Sequence, residues 1–231
     1  MRLDKYLTII GLGTRSEVKS IIKKKKIIVN DQIITNEGYH VDEHHDIIKY
    51  ENNVLSYQEY IYIMLNKPAG YITSTQDREP TIMDLIKEYK HLELAPVGRL
   101  DKDTEGLILI TNDGMLAHQL TSPKKHVDKT YYVELASPTK TEELAILEKG
   151  IMLDNAMTLP AKLTFKDPDK GYITIQEGKY HQVKRMFHYI DNQVTYLKRI
   201  SMGTLVLDEN LGLGEYRLLS DEEITKIKHQ L

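Results

Sequence analysis

The sequence contains no cysteine among its 231 residues, which excludes disulfides, thiol nucleophiles and thiolate metal sites. No apolar run approaches the roughly 18 residues that a membrane-spanning helix needs, and the first residues show no signal-peptide pattern. The glycine-rich loops that bind phosphates or dinucleotides are also missing. Hydrophobic residues make up 41% and charged residues 28%, which is typical of a globular protein. We therefore expect a cytoplasmic protein without a membrane segment.

Charge is distributed unevenly along the chain, although the formal net charge is only −3. Residues 1–30 carry eight Lys or Arg against two acids, whereas residues 31–60 carry one lysine against seven acids. A basic half of this kind can lie on a phosphate backbone, and it can equally be a solvated helix face. Charge alone favours the solvated face.

The hydrophobic pattern predicts a small N-terminal domain, which we place at residues 1–58. Apolar residues at helical spacing predict a first helix over 3–10. A second helix should follow Thr14, because Glu17 stands at the spacing of a capping box. Two apolar runs around 30–32 predict a tight hairpin.

Residues 59–231 form the second predicted domain, and the polar stretch 51–59 is the predicted linker. Strands and helices alternate here without a strict βαβ repeat, so we expect an α+β fold with a mixed, largely antiparallel sheet and flanking helices. Strands are predicted at 61–65, 107–110, 131–135, 171–175, 194–200 and 204–207. Helices are predicted at 114–120, 139–149, 179–190 and from Ser220 onward.

The segment at 98–107, GRLDKDTEGL, packs five charges into a short loop ahead of an apolar strand. Loops that a rigid strand holds in place are favoured positions for catalytic groups, and Asp101 is the candidate here. The alternative is a solvated connection in which Asp103 or Thr104 turns the chain.

The segment at 178–187, GKYHQVKRMF, predicts a basic helix. Val183, Met186 and Phe187 share its apolar face, and Tyr180 and Lys184 lie on a neighbouring stripe. A cation in this position would hold a buried carboxylate ionised, as a nucleophilic aspartate requires. A basic surface helix is an equally good interpretation.

The segment at 121–132, TSPKKHVDKTYY, interleaves basic and aromatic residues, which suits phosphate contacts and stacking on an unpaired base. Tyr131 and Tyr132 would point to opposite faces of a strand, so at most one can meet a given ligand. The alternative is that both are ordinary sheet residues. The histidines and aspartates at 40–46 match no strong metal-ligand spacing, and we expect a polar loop and no metal.

Taken together, three stretches resemble the signature sequences of bacterial rRNA pseudouridine synthases: GRLDKDTEGLILITNDG, TSPKKHVDKTYYV and EGKYHQVKRMF. The resemblance covers essentially the whole chain. Within the family it is strongest to the synthases of the small ribosomal subunit, which act on 16S rRNA at uridine 516. MLNKPAGYITS and LDENLGLGEYRLLSDEEI support that narrower match. Residues 1–50 resemble the S4 RNA-binding domain through RLDKYL, TRSE and Val29-Asn30.

The resemblance implies a role for three residues. Asp101 matches the essential aspartate of the family, and Tyr131 matches the aromatic residue that stacks on the target base. Lys184 matches the basic residue that pairs with the aspartate. Many relatives have arginine there, and lysine keeps the charge but loses the bidentate fork.

Further residues are implied as RNA contacts: Arg2, Lys5, Arg15, Lys19, Lys23, Arg99, Lys129, Tyr180, His181, Gln182 and Arg185. Two positions depart from the S4 pattern, because Lys25 and Asp31 stand where glycine is usual. Lysine tolerates a positive φ less readily than aspartate does, so the resemblance leaves the shape of these turns open.

The resulting prediction is a pseudouridine synthase that needs no cofactor and acts on 16S rRNA, in a small-subunit assembly intermediate, as a monomer. The residues do not choose among attack at C1′, attack at C6 and proton abstraction by Asp101. The alternatives in function are a synthase for 23S rRNA or tRNA, and a non-catalytic rRNA-binding assembly factor.

Overall fold

The computed structural model describes residues 1–89 and 92–230, and the chain divides into two compact units. The first unit contains residues 1–61 and the described part of 87–94. The second contains 62–86 and the described part of 95–231. The domain boundary that we placed between residues 58 and 59 stays a prediction.

Two short helices of the first unit pack their apolar residues into one core. Helix α1 spans Leu3–Ile9 and α2 spans Arg15–Lys23. The predicted capping box at the start of α2 is confirmed: the Glu17 amide donates to Thr14 Oγ1 at 3.4 Å, and the Thr14 amide donates to Glu17 Oε2 at 2.8 Å. This exchange satisfies amides that the first turn of a helix leaves unpaired.

A four-stranded antiparallel sheet completes the first unit, with strand order β2-β1-β3-β4. The strands are β1 (Ile27–Val29), β2 (Gln32–Ile33), β3 (Ile48–Tyr50) and β4 (Asn53–Val54). The predicted hairpin is confirmed, with Asn30 and Asp31 forming its two-residue turn. The predicted linker is wrong at its start, because 51–54 form a second tight turn and β4.

Lys25 and Asp31 keep the backbone conformation for which glycine is usual in S4 domains. Their φ angles are 61° and 63°, both in the left-handed region. The neighbouring turn residue Asn30 is also left-handed, at 46°, as a hairpin turn of this type requires. The two residues that stand in place of glycine therefore keep both turns left-handed, at a cost in backbone free energy.

The second unit is built on a nine-stranded sheet in which the pairing of β13 with β7 is parallel and the other pairings are antiparallel. The predicted mixed, largely antiparallel sheet is confirmed. Seven strands follow the order β11-β12-β8-β13-β7-β5-β15, while β6 pairs with β7 and β14 with β13. A separate hairpin consists of β9 and β10. The strands are β5 (Tyr62–Lys67), β6 (Ala95–Val97), β7 (Glu105–Thr111), β8 (Lys129–Leu135), β9 (Met152–Leu153), β10 (Ala156–Met157), β11 (Lys162–Asp167), β12 (Lys170–Ile175), β13 (Val194–Met202), β14 (Leu205–Val206) and β15 (Tyr216–Leu218).

Within the described part of the chain, four α-helices pack on this sheet through two hydrophobic clusters. They are α3 (Gly114–Thr121), α4 (Thr141–Glu148), α5 (Gln182–Tyr189) and α6 (Asp221–His229). One cluster joins sheet residues to α4 and α5 and includes Leu100, Val133 and Phe187. The other joins the sheet to α3 and α6 and includes Leu109 and Leu120. Among the described residues, no helix is long and apolar enough to cross a membrane.

Candidate active site

The loop between β6 and β7 presents Asp101, and neighbouring polar groups hold its backbone. Leu100 is buried in a hydrophobic cluster, which anchors the loop from below. Thr73 Oγ1 accepts from the Leu100 amide at 3.2 Å and donates to the Leu100 carbonyl at 2.9 Å. The Thr104 amide donates to the Asp101 carbonyl at 3.1 Å. Asp101 therefore lies on a loop whose backbone is bonded on both sides of it.

Lys67 at the end of β5 is a further support of this loop that no sequence motif indicates. Its side chain is fully buried, and Nζ donates to four carbonyl oxygens at 2.8–3.2 Å. These carbonyls belong to Pro68, Asp101, Lys102 and Thr104. Burial lowers the pKa of Lys67 to about 8, against the attraction of nearby acids. No motif marks Lys67 in the sequence, because contact with backbone carbonyls leaves no signal in residue types.

Lys184 and His181 bring two basic groups to the Asp101 carboxylate. Lys184 Nζ lies 3.0 Å from Asp101 Oδ2, and His181 Nε2 lies 3.5 Å from Oδ1. Lys184 also contacts Asp103 Oδ1 at 2.5 Å. Burial opposes the charge of Lys184, but its hydrogen bonds to the two aspartates raise its pKa overall. The Asp101 side chain is 27% exposed and that of Asp103 74%, so Asp101 is the more sheltered carboxylate of the two.

Tyr131 lies in the same pocket as this carboxylate. It is a buried residue of β8, and the pocket lining includes Asp101, Lys184 and Arg99 together with apolar side chains. Tyr132 alternates to the other face of the strand, where its hydroxyl donates to Glu134 Oε1 at 2.7 Å. The expectation that at most one of the two tyrosines meets a given ligand is consistent with this placement.

The segment before α5 adopts a conformation that the sequence analysis did not predict. The helix begins at Gln182 and not at 179, because His181 is left-handed with φ 48° and ψ 35°. The Gln182 amide group is buried, accepts from the Lys179 backbone at 2.9 Å and donates to Glu177 Oε1 at 2.8 Å. His181 and Gln182 line the pocket, while the exposed Tyr180 stacks on the His181 ring outside it.

Two further candidate RNA contacts lie outside the pocket lining. Lys129 is buried and donates to the Val127 carbonyl at 3.0 Å, and burial lowers its pKa. Arg185 forms a bidentate pair with Asp154, with both N···O distances at 2.7 Å. In the structure, both cations are therefore already bound to other groups of the protein.

In the first unit, a cleft between α1 and α2 collects four of the five predicted basic residues. Arg2, Lys5, Arg15 and Lys19 line it, and Lys23 does not. Arg2 is paired with Asp4 at 2.8 Å, and Lys19 lies 3.7 Å from Glu37. The capping of α2 and the helical spacing of α1 place these side chains on one basic surface.

Comparison with known proteins agrees with the fold. Residues 61–189 match the family model described as RNA pseudouridylate synthase, and residues 1–48 match the S4 domain. The chain belongs to the pseudouridine synthase family, and the resemblance seen in its sequence is confirmed.

Individual relatives cover nearly the whole chain. An uncharacterized RNA pseudouridine synthase of Bacillus subtilis, YtzG, is 46% identical over 97% of both chains. The ribosomal small subunit pseudouridine synthase A of Escherichia coli is 40% identical over 98% of this chain and 100% of its own. A crystal structure of a pseudouridylate synthase covers 98% of this chain with a TM-score of 0.70 and 40% identity.

Proposed function

We propose that this enzyme isomerises a uridine of 16S rRNA, at the position corresponding to uridine 516, with Asp101 as the catalytic carboxylate. The observation that carries the assignment of Asp101 is its place in one pocket with Lys184, at 3.0 Å, and with Tyr131. The small-subunit target rests on relatives named ribosomal small subunit pseudouridine synthase A, which are 40–43% identical over nearly their full length.

The reaction is an isomerisation, so the residues at the site have to supply only polar chemistry. The C1′–N1 bond breaks, the uracil turns, C5 bonds to C1′, and N1 gains a proton while C5 loses one. Asp101 acts in its ionised form in each route, whether by attack at C1′, by attack at C6 or as a base. Lys184 stabilises that form by direct contact.

Tyr131 supplies the apolar surface that the target base needs once it has left its stack. An enzyme that acts on a base has to extrude it or find it unpaired, and this step costs free energy. Stacking on an aromatic ring returns about 1–3 kcal/mol per base. Tyr131 lines the same pocket as Asp101, where it can hold the uracil within reach of the carboxylate.

The basic cleft of the first unit serves as a sequence-independent contact to the RNA backbone. Lys5, Arg15 and Lys19 are suited to phosphates, and S4 is the domain that the first 48 residues match. We propose that the protein acts in the cytoplasm as a monomer, on rRNA within a small-subunit assembly intermediate, and without a cofactor.

The test is a pseudouridine map of 16S rRNA from cells with and without the gene. We expect one modification to disappear and to return with the wild-type gene but not with Asp101→Asn. Asp103→Asn is the matched control, because Asp103 lies on the same loop and contacts the same lysine but is largely exposed. It should restore the modification, and restoration by Asp101→Asn would refute the catalytic assignment.

The same map decides between this target and the alternatives. An unchanged 16S map with a change in 23S rRNA or tRNA would assign the enzyme to another RNA. No change in any RNA would favour a non-catalytic assembly factor. The combination of Asp101, Tyr131 and Lys184 in one pocket argues against that last reading.

A further inference from the structure

Tyr180 is a large aromatic side chain that the fold leaves in solvent. It is 74% exposed, yet its ring stacks on that of His181, with ring centroids 3.8 Å apart and planes 18° apart. One face of Tyr180 is thus covered by His181 and the other is open. Its hydroxyl makes no hydrogen bond within the described part of the chain, so polar bonding of the side chain does not explain this position.

The backbone holds the two rings in this arrangement at a cost. His181 has the left-handed conformation, which costs free energy for a residue with a Cβ. The buried Gln182 side chain holds the neighbouring backbone by bonding both Lys179 and Glu177. Such outliers concentrate at ligand-binding positions, where the strain keeps a side chain ready for its ligand.

The hairpin β9–β10 ties down the same segment from the other side. Lys179 Nζ donates to the Met157 carbonyl at 2.9 Å, and Arg185 pairs with Asp154 in the hairpin turn. Arg185 Nη1 also donates to the Tyr180 carbonyl at 3.3 Å. The stacked pair is therefore a preorganised surface on two fixed supports.

We propose that Tyr180 and His181 form a stacking subsite for the nucleobase adjacent to the target uridine in the RNA strand. This inference rests on the proposed function, because it takes Asp101 as the group that acts on the uridine. His181 Nε2 lies 3.5 Å from the Asp101 carboxylate, so the stack begins where the target nucleotide is held. Because the neighbouring nucleotide is covalently joined to the target uridine, its base can reach the open face of Tyr180.

The chemistry of the surface sets the selectivity of the subsite. Every base has a π-face, so stacking on Tyr180 accepts any neighbouring base and supplies affinity and register without reading the sequence. The inner ring, His181, has its edge towards Asp101, and Tyr180 separates it from solvent on the stacked face. The subsite thus extends the uridine pocket by one nucleotide.

The experiment is a double-mutant cycle between the protein and the RNA. Dissociation constants are measured in the Asp101→Asn background, which isolates binding from turnover, on an RNA that the wild-type enzyme modifies. Three RNAs are compared: the intact one, and two with an abasic ribose on the 5′ or the 3′ side of the target. Tyr180→Ala removes the ring, and Tyr180→Phe is the matched control that keeps it.

On intact RNA, Tyr180→Ala should weaken binding by about 5- to 150-fold, the range that corresponds to the loss of one stacked base. Tyr180→Phe should stay within about twofold, because the hydroxyl is not part of the contact. On one of the two abasic RNAs, Tyr180→Ala should bind as well as the protein that retains Tyr180. His181→Asn should cause the same loss of affinity on intact RNA, since asparagine keeps the left-handed backbone but offers no ring to support Tyr180.

An equal loss on intact and on both abasic RNAs would overturn the proposal, and so would no loss on intact RNA. Product formation by the wild-type enzyme is followed separately. If an RNA taken from 16S rRNA gains no pseudouridine, the proposed 16S target is wrong. The double-mutant cycle is then run on the RNA in which mapping finds the modification. A chain that modifies no RNA overturns both proposals.

Discussion

Replacing Lys67 by methionine tests whether one buried ammonium group holds the Asp101 loop. Methionine has a similar length but no donor, so four carbonyl groups lose their partner. The ammonium has three protons, and hydrogen bonds from a charged donor contribute about 1.5–3 kcal/mol each, or roughly 5–9 kcal/mol together. The net cost of holding the charged form at this site, burial less the attraction of nearby acids, is about 3 kcal/mol, the equivalent of a pKa lowered from 10.5 to about 8. We expect Lys67→Met to lower the free energy of unfolding by about 2–6 kcal/mol at pH 7.

The effect of this substitution should depend on pH in a defined direction. Below pH 8 the amine is protonated in both the folded and the unfolded state, and the folded protein bears the full cost of the buried charge. Between about pH 8 and 10.5 the unfolded chain binds more protons, so wild-type stability gains with rising pH, by up to about 3 kcal/mol. Lys67→Met lacks this group. The stability difference between the two proteins should therefore widen above pH 8.

Urea denaturation at pH 7, 8, 9 and 9.5 measures both effects, because the other titrating groups are common to both proteins and cancel in the difference. Lys102→Met is the matched control: it makes the same Lys-to-Met change within the Asp101 loop itself, at a half-exposed side chain paired with Glu79. Its effect should stay within about 0.5 kcal/mol. Equal stability of Lys67→Met and wild type at pH 7, or a difference that stays constant up to pH 9.5, would refute the reasoning.

Three other substitutions test separate features. Asp113→Ala removes the N-cap of α3 and the acceptor of the Tyr62 hydroxyl, so urea denaturation should show a loss of about 1–3 kcal/mol; an unchanged midpoint would contradict this. Gly106→Ala would place a Cβ 2.3 Å from the Arg199 carbonyl oxygen, so the variant should be insoluble or unfold at markedly lower urea; a wild-type midpoint would show that β7 and β13 can separate. Arg15→Ala should reduce the slope of log affinity for rRNA against log salt by about 0.7–0.9, and an unchanged slope would mean that this arginine does not contact phosphate.

Helix starts could be predicted where capping is local. Thr14 with Glu17 and Ser220 with Glu223 satisfy their own first turns, and the structure confirms both helices within a residue of the prediction. The start of α5 could not be predicted in this way, because His181 before it is left-handed and the first helical residue, Gln182, bonds to Glu177 outside the helix.

Several strands were missed because their partners are distant or their sequence is polar. β15 pairs with β5 from about 150 residues away and has no alternating pattern of its own. β11 lies at the edge of the sheet and is mostly exposed, so charged residues replace the apolar alternation that marks a strand. A three-residue or edge strand of this kind is stabilised by the sheet that receives it and not by its own residues.

The candidate residues Asp101 and Lys184 came from motifs 83 positions apart, and resemblance linked them, not spacing. The fold supplies the physical link, since the Asp101 loop and α5 share one hydrophobic cluster through Leu100 and Val183. Lys67 could not be predicted from the sequence, because every residue has a backbone carbonyl and its partners therefore show no characteristic residue type.

The Asp101 loop is held by cations that act on different atoms. Lys67 binds the backbone carbonyls and so fixes where the loop lies, while Lys184 contacts the carboxylate itself. The backbone and the carboxylate are consequently bound by separate side chains on separate elements, β5 and α5. A change at Lys67 should lower both stability and turnover, whereas Lys184→Met should lower turnover and, because Lys184 lies at the open pocket, change the urea midpoint far less.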